Sequence, residues 1–150
     1  MLYEVAGWTS EMTCVPTALC AVTGQPIGKV GAALSKHAGA PPNGKMFLPS
    51  YNINDWLKAL SELTSAWTDV LDHSKEPYKD RATIDLFMTK HQRSGTMLVF
   101  GEDECISCTH LFAAEGRNLV DIYTAGKVTQ FTQAPIEYNA FRIKRIFTIA

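Results

Sequence analysis

The hydrophobic rhythm of the chain changes partway along. Near the start, Val15, Ala18, Leu19 and Val22 recur at helical spacing. Pro16 suits the first turn of that helix, where its missing N–H costs nothing, and "TGQP" closes it. Ile27, Val30, Leu34 and His37 trace a second amphipathic helix that stops near Gly39. Asn52 or Asn54 caps a third, with Ile53, Trp56, Leu57, Leu60 and Leu63 on its buried side. "SAWTDVLDH" reads as a strand. "RATIDLFMTKHQRSG" reads as a helix with Thr83 as cap and Gly95 beyond its end. Then come strand-like segments: "TMLVFG", "THLFAAEG", "NLVDIYTAG", "KVTQFT" and "FRIKRIFTI". "EGRN" between two of them marks a hairpin. The last alternates Phe141, Ile143, Arg145 and Phe147 against Arg142, Lys144, Ile146 and Thr148. Leu2 to Trp8 predicts a short strand or an extended lead-in.

Helices followed by antiparallel-looking strands predict an α+β domain, a helical N-terminal half packed on a sheet from the C-terminal half. At 150 residues the chain suits a single domain, residues 1–150, without internal repeat or low-complexity tract. The loop "AGAPPNGKMFLPSYN" is long enough to carry function, and lining a substrate groove is one role for it.

Charge narrows the function classes. With 14 basic and 15 acidic residues, a net charge of −1 and no long single-sign run, phosphate-driven binding of nucleic acid is not expected. No apolar run approaches the roughly 20 residues of a membrane helix. The first residues, "MLYEVAGWTSEM", lack the pattern of a secretory signal, so the expected location is cytoplasmic. Nothing in the pattern sets the oligomeric state.

Four cysteines, Cys14, Cys20, Cys105 and Cys108, are then expected to be reduced. Cys14 falls at or just before the first helix. Unpaired N–H groups and the helix dipole favour an anion there, and a thiolate is one. The alternative is a small packing residue, the role expected of Cys20 on the helix's inner face. His110 stands on the first strand of the "EGRN" hairpin, and Asp121 follows eleven residues later within the apolar frame of Leu119, Val120, Ile122 and Tyr123. A hairpin brings such positions together, and a carboxylate in apolar surroundings needs a partner such as an imidazole N–H. Solvent-facing placement of Asp121 is the alternative. His37 and His91, at helix ends, and His73, in a polar loop, have no such acid and read as structural. Trp8, Trp56 and Trp67 read as core or core-edge aromatics.

In this layout the chain resembles the papain-like cysteine peptidases. "TCVPTALCAVTGQPIGKV" is similar to the helix-start segment of their small bacterial and phage members. "THLFAAEGRNLVDIY" is similar to their histidine–strand–turn–strand–aspartate hairpin. The resemblance spans Cys14 to about Tyr123. It implies a papain-like fold and a cysteine hydrolase, a peptidase or an isopeptidase or amidase, working through a thioester acyl-enzyme on a protein or peptide substrate. Cys14 would be the nucleophile, His110 the general base and later acid, and Asp121 its orienting partner, with Asn118 as alternative third member. No cofactor or metal is implied. In the family a glutamine about six residues before the cysteine helps form the oxyanion hole. Here that position is Trp8. Thr9 and Ser10 are the nearest hydroxyl donors, Glu11 would have to be protonated, and the Cys14 backbone N–H is a further donor. The departure at Trp8 leaves room for a second reading, a non-catalytic phage or bacterial effector or interaction protein on the same scaffold.

A third reading comes from "ECISCTH". Cys105, Cys108 and His110 have the spacing of part of a zinc site and would define a zinc-stabilised binding module, although a second ligand pair is missing. A redox role for this CxxC is disfavoured because it leads into a strand, not a helix.

Overall fold

A computed structural model describes residues 1–90 and 94–149. Its elements are α1 (Cys14–Thr23), α2 (Ile27–Ala38), α3 (Ile53–Leu63), β1 (Trp67–Asp72), α4 (Ile84–Lys90), β2 (Thr96–Asp103), β3 (Cys108–Glu115), β4 (Asn118–Val120), β5 (Thr129–Gln130) and β6 (Arg142–Ile149). All strand pairs are antiparallel, in the order β1-β6-β2-β3-β4-β5. The fold is α+β. His91 lies outside the described residues.

Local chemistry sets the helix ends. Asn52 caps α3 by accepting from the Asn54 N–H, as its residue type favours. Thr83 Oγ1 accepts from Leu86 N at the start of α4. α1 ends at Gly24 in the left-handed conformation. Leu2 to Trp8 forms no strand. It is an extended lead-in tied down by Tyr3 N donating to Ala21 O at 2.9 Å and Val5 N to Gly126 O at 2.8 Å.

Both faces of the sheet are covered, so the central strands are apolar on both sides. Leu98, Phe100, Leu111 and Ala113 pack with α1, α2 and α3 around Leu19, Leu34, Trp56 and Leu60. Met97, Val99, Phe112 and Ala114 pack on the opposite face with Phe87 and Met88 of α4, and with Ala134 and Phe141 from the segment before β6. Trp56 is wholly buried, with its ring centroid 5.5 Å from that of Phe147, edge-to-face, and 6.2 Å from that of Phe100.

β6 departs from the simple alternation expected for it. Its register on β2 passes from Phe100↔Arg145 to Gly101↔Ile143, leaving Lys144 as an extra residue. Such a bulge reverses the facing of everything beyond it. Ile143 and Ile146 therefore share one core, while Phe147 enters the other. Gly101 lies at this irregularity, where a Cβ would come within 2.9 Å of the Arg142 carbonyl oxygen.

Candidate active site

The N-terminus of α1 is open. Thr13, its N-cap residue, makes no side-chain cap. The hydroxyl donates to Leu48 O instead, at 3.3 Å, and ties the 40–52 loop to the helix start. With no side-chain cap, the Cys14 and Val15 N–H groups have no partner within the helix; Pro16 carries no N–H, and Thr17 N donates to Thr13 O at 3.3 Å. Cys14 is half-buried.

β3 supplies His110, which is 2% exposed. Its Nε2 donates to Asp121 Oδ2 at 2.8 Å. Asp121 was expected on the return strand, but the ladder ends one residue earlier, at Ala113↔Val120. The chain turns there, and Asp121 caps a short 3-10 turn, Ile122–Thr124. Its Oδ1 accepts from Ile122 N at 2.5 Å, and its own N–H donates to Thr124 Oγ1 at 3.0 Å. The carboxylate is held at both oxygens and is 7% exposed.

Cys14 lies near enough to the same imidazole to add a smaller upward push to its pKa. With Nε2 committed to Asp121, Nδ1 is the nitrogen left for the thiol. Burial by itself would drive the proton off His110. The Asp121 charge and hydrogen bond, with smaller contributions from Cys14, outweigh that, and the His110 pKa is raised to about 9. The other helix cysteine contrasts sharply: Cys20 is buried, and burial pushes its thiol up to about 12.

Aromatic rings surround the imidazole. Tyr138 stacks on it with centroids 4.2 Å apart and planes at 27°. Phe112, Tyr123 and Phe141 lie at 6.0 to 6.1 Å. Tyr138 comes from a 3-10 turn, Ile136–Tyr138, just before β6. Nothing in the surrounding sequence, a polar connection between strands, signals its place in the site.

Two hollows meet at Thr13 and Pro49 beside Cys14. One, of about 480 Å³, is lined by Cys14, Tyr51, Trp56, Phe100, Leu111 and the 107–109 segment of the β2–β3 hairpin. The other, of about 280 Å³, is lined by Pro42, Asn43 and residues 45–49 with Glu11 and Thr13. The long loop of the sequence thus forms one wall of the groove at Cys14. Tyr51 OH accepts from Leu48 N at 2.8 Å and braces that wall. A third hollow, of about 180 Å³, lies behind the His110–Asp121 pair, among Phe112, Leu119, Phe131 and Tyr138.

The remaining candidates are placed elsewhere. Trp8 Nε1 donates to Thr17 Oγ1 at 3.1 Å, so its N–H is already used. Thr9 and Ser10 are exposed in the turn before Met12 and line neither groove. Asn118 is exposed in the ladder, opposite Glu115 and Gln130. Cys105 and Cys108 are exposed at the β2–β3 hairpin. Among the described residues no group of three or more His, Cys, Asp or Glu converges as a metal-ligand set. Cys105, Cys108 and His110 are thus not gathered into a ligand set: the two thiols are exposed, and the buried imidazole is hydrogen-bonded to Asp121. His37 pairs with Glu62 at 2.9 Å and His73 with Glu76 at 2.5 Å, and neither borders the grooves beside Cys14.

No known protein family, curated protein or solved structure matches this chain. Among the described residues no helix is long and apolar enough to cross a membrane.

Proposed function

We propose that the protein is a thiol hydrolase of papain-like type, acting on an amide bond of a protein or peptide. The observation that carries this reading is the buried His110–Asp121 hydrogen bond, with Cys14 near enough to bear on the His110 pKa from an uncapped helix start in an open groove. A histidine held protonated beside a thiol supports a pair in which the proton rests on His110 and Cys14 is free to attack. The Cys14 sulfur forms a bond to the carbonyl carbon, and the carbonyl π electrons move onto oxygen. The Cys14 N–H, at the uncapped start of α1, supplies one donor to that oxygen. Collapse breaks the C–N bond as His110 passes its proton to the leaving amine. Water then adds to the thioester and gives a proton back to His110. The sulfur leaves as thiolate with the acid product released. Asp121 holds His110 through Nε2 throughout. Four thiols without a disulfide suit a reducing compartment such as the cytoplasm.

Acylation by p-nitrophenyl acetate tests the reading. The acetyl group should be found on Cys14 by peptide mapping and be released by hydroxylamine. It should be absent in His110→Ala. Label confined to Cys105 and Cys108 would sink the proposal. It would favour a non-catalytic interaction protein, the reading supported by Trp8, whose N–H is spent on Thr17.

A further inference from the structure

We propose that Tyr138 is a positioning residue of this site, its ring face holding the His110 imidazole in place and favouring the protonated form. The inference rests on the reading of Cys14 and His110 as a working pair, and it names a third group that acts on that pair.

Three observations carry it. The Tyr138 ring is nearly parallel to the imidazole at 4.2 Å, well inside the distance at which a cation is attracted to an aromatic face. The ring cannot readily swing away. Tyr123 and Phe141 each abut it edge-on at 4.7 Å, so the stack is braced from two sides. Finally, the hydroxyl stays neutral: burial first, then the charges of Asp121, Cys14 and Cys108, push it up to about 12. The ring therefore meets His110 as an electron-rich neutral face and not as a phenolate.

Among the described residues, the groups that face His110 are few. Asp121, after β4, bonds to Nε2. Cys14, from α1, bears on the His110 pKa. Tyr123 and Tyr138 come from the two 3-10 turns, and Phe112 and Phe141 add uncharged rings. Cys108 stands two residues back on the same strand. Among the rings around the imidazole, only Phe112 shares Tyr138's near-parallel geometry, and it lies at 6.0 Å. The closest face is thus Tyr138, and a face attracts an imidazolium more than a neutral imidazole.

The test is the NMR titration of the His110 ring in unreacted protein, with thermal unfolding as a check on folding. Four proteins are compared: wild type, Tyr138→Phe, Tyr138→Leu and the protein with 3,4,5-trifluorophenylalanine at position 138. The trifluorinated ring keeps the shape and removes the negative face. Tyr138→Phe should titrate as wild type does. Tyr138→Leu and the trifluorinated protein should titrate about one pH unit lower, the shift that corresponds to a cation–π contact of ordinary strength. Should Tyr138→Leu fail to fold, the near-isosteric trifluorinated protein decides alone. A wild-type titration in the trifluorinated protein overturns the proposal. So does a Tyr138→Phe shift as large as that of the trifluorinated protein, since the hydroxyl would then be the active part. Cys14 labelling run in parallel separates the two readings: an inert Cys14 defeats the hydrolase, while an unmoved His110 beside a reactive Cys14 defeats only the role of Tyr138.

Discussion

His110 Nε2 and Asp121 Oδ2 lie 2.8 Å apart although the β3–β4 register does not set them opposite each other. The ladder pairs Glu115 with Asn118 and Ala113 with Val120, which would continue to Phe112 facing Asp121. The strand ends at Val120, and the 3-10 turn carries the carboxylate across to His110. Asp121→Asn keeps the cap and loses the charge. Proton transfer through His110 should weaken by roughly 10²-fold or more, read as the rate of Cys14 acylation at pH 7. Asp121→Ala should also lower the melting temperature, since it strips a buried imidazole of its partner. An Asp121→Asn protein as fast as wild type would remove Asp121 from the site.

Stability should depend on His110 with a definite sign. Its folded pKa, about 9, is above the ordinary value of 6.5. The stabilisation is then complete below about pH 6.5 and is lost as pH rises through about 9. It is on the order of 3 kcal/mol. Cys20 contributes a fall of the same sign above the unfolded thiol pKa, because its folded pKa is raised as well. The difference between wild type and His110→Gln, measured by urea unfolding in reductant from pH 6 to 9, isolates the histidine. A flat difference would show that the Asp121 contact does not favour the charged ring.

The thiols should separate under a neutral alkylating agent. Cys20 is buried and should be silent in folded protein. Cys14 should react faster than the exposed Cys105 and Cys108, by about tenfold or more at pH 7, if His110 holds its proton. Peptide mapping after brief iodoacetamide treatment gives the order directly. His110→Ala should bring Cys14 down to the hairpin thiols or below.

Gly101→Ala tests the fold rather than the chemistry. The added Cβ would sit 2.9 Å from the Arg142 carbonyl oxygen, where two backbones meet. Relief requires β2 and β6 to separate at the bulge, and a loss of about 2 kcal/mol is expected in denaturant unfolding. An unchanged midpoint would mean that the strands can part there freely.

Much of this arrangement was legible in the sequence, and the exceptions share a cause. Cys14 at a helix start follows from Pro16 and the apolar spacing behind it. The partnership of His110 and Asp121 follows from an apolar hairpin that leaves a carboxylate in need of a donor. The route by which they meet did not follow, because the turn after Val120 is fixed by Asp121 and Thr124 capping each other, a local contest with the strand. The facing of Ile146 and Phe147 was hidden for a similar reason: one extra residue, Lys144, changes parity without altering the alternating pattern. Tyr138 gave no signal, since its stack depends on tertiary placement of a connection that has no periodicity of its own.

Gly126 bears no functional group, yet the two halves of the site lean on it. It has a positive φ of +74°, its carbonyl accepts from Val5 N, and its own N–H donates to Asp121 O. A Cβ there would lie 2.9 Å from the Val5 Cβ and 3.0 Å from the Trp8 Cβ. The peptide that steadies the Asp121 turn is thus the same one that seats the lead-in to α1. A side chain at Gly126 should therefore disturb the Asp121 turn and the lead-in to α1 together, and a compensating change is expected among the residues it would crowd, Val5 and Trp8.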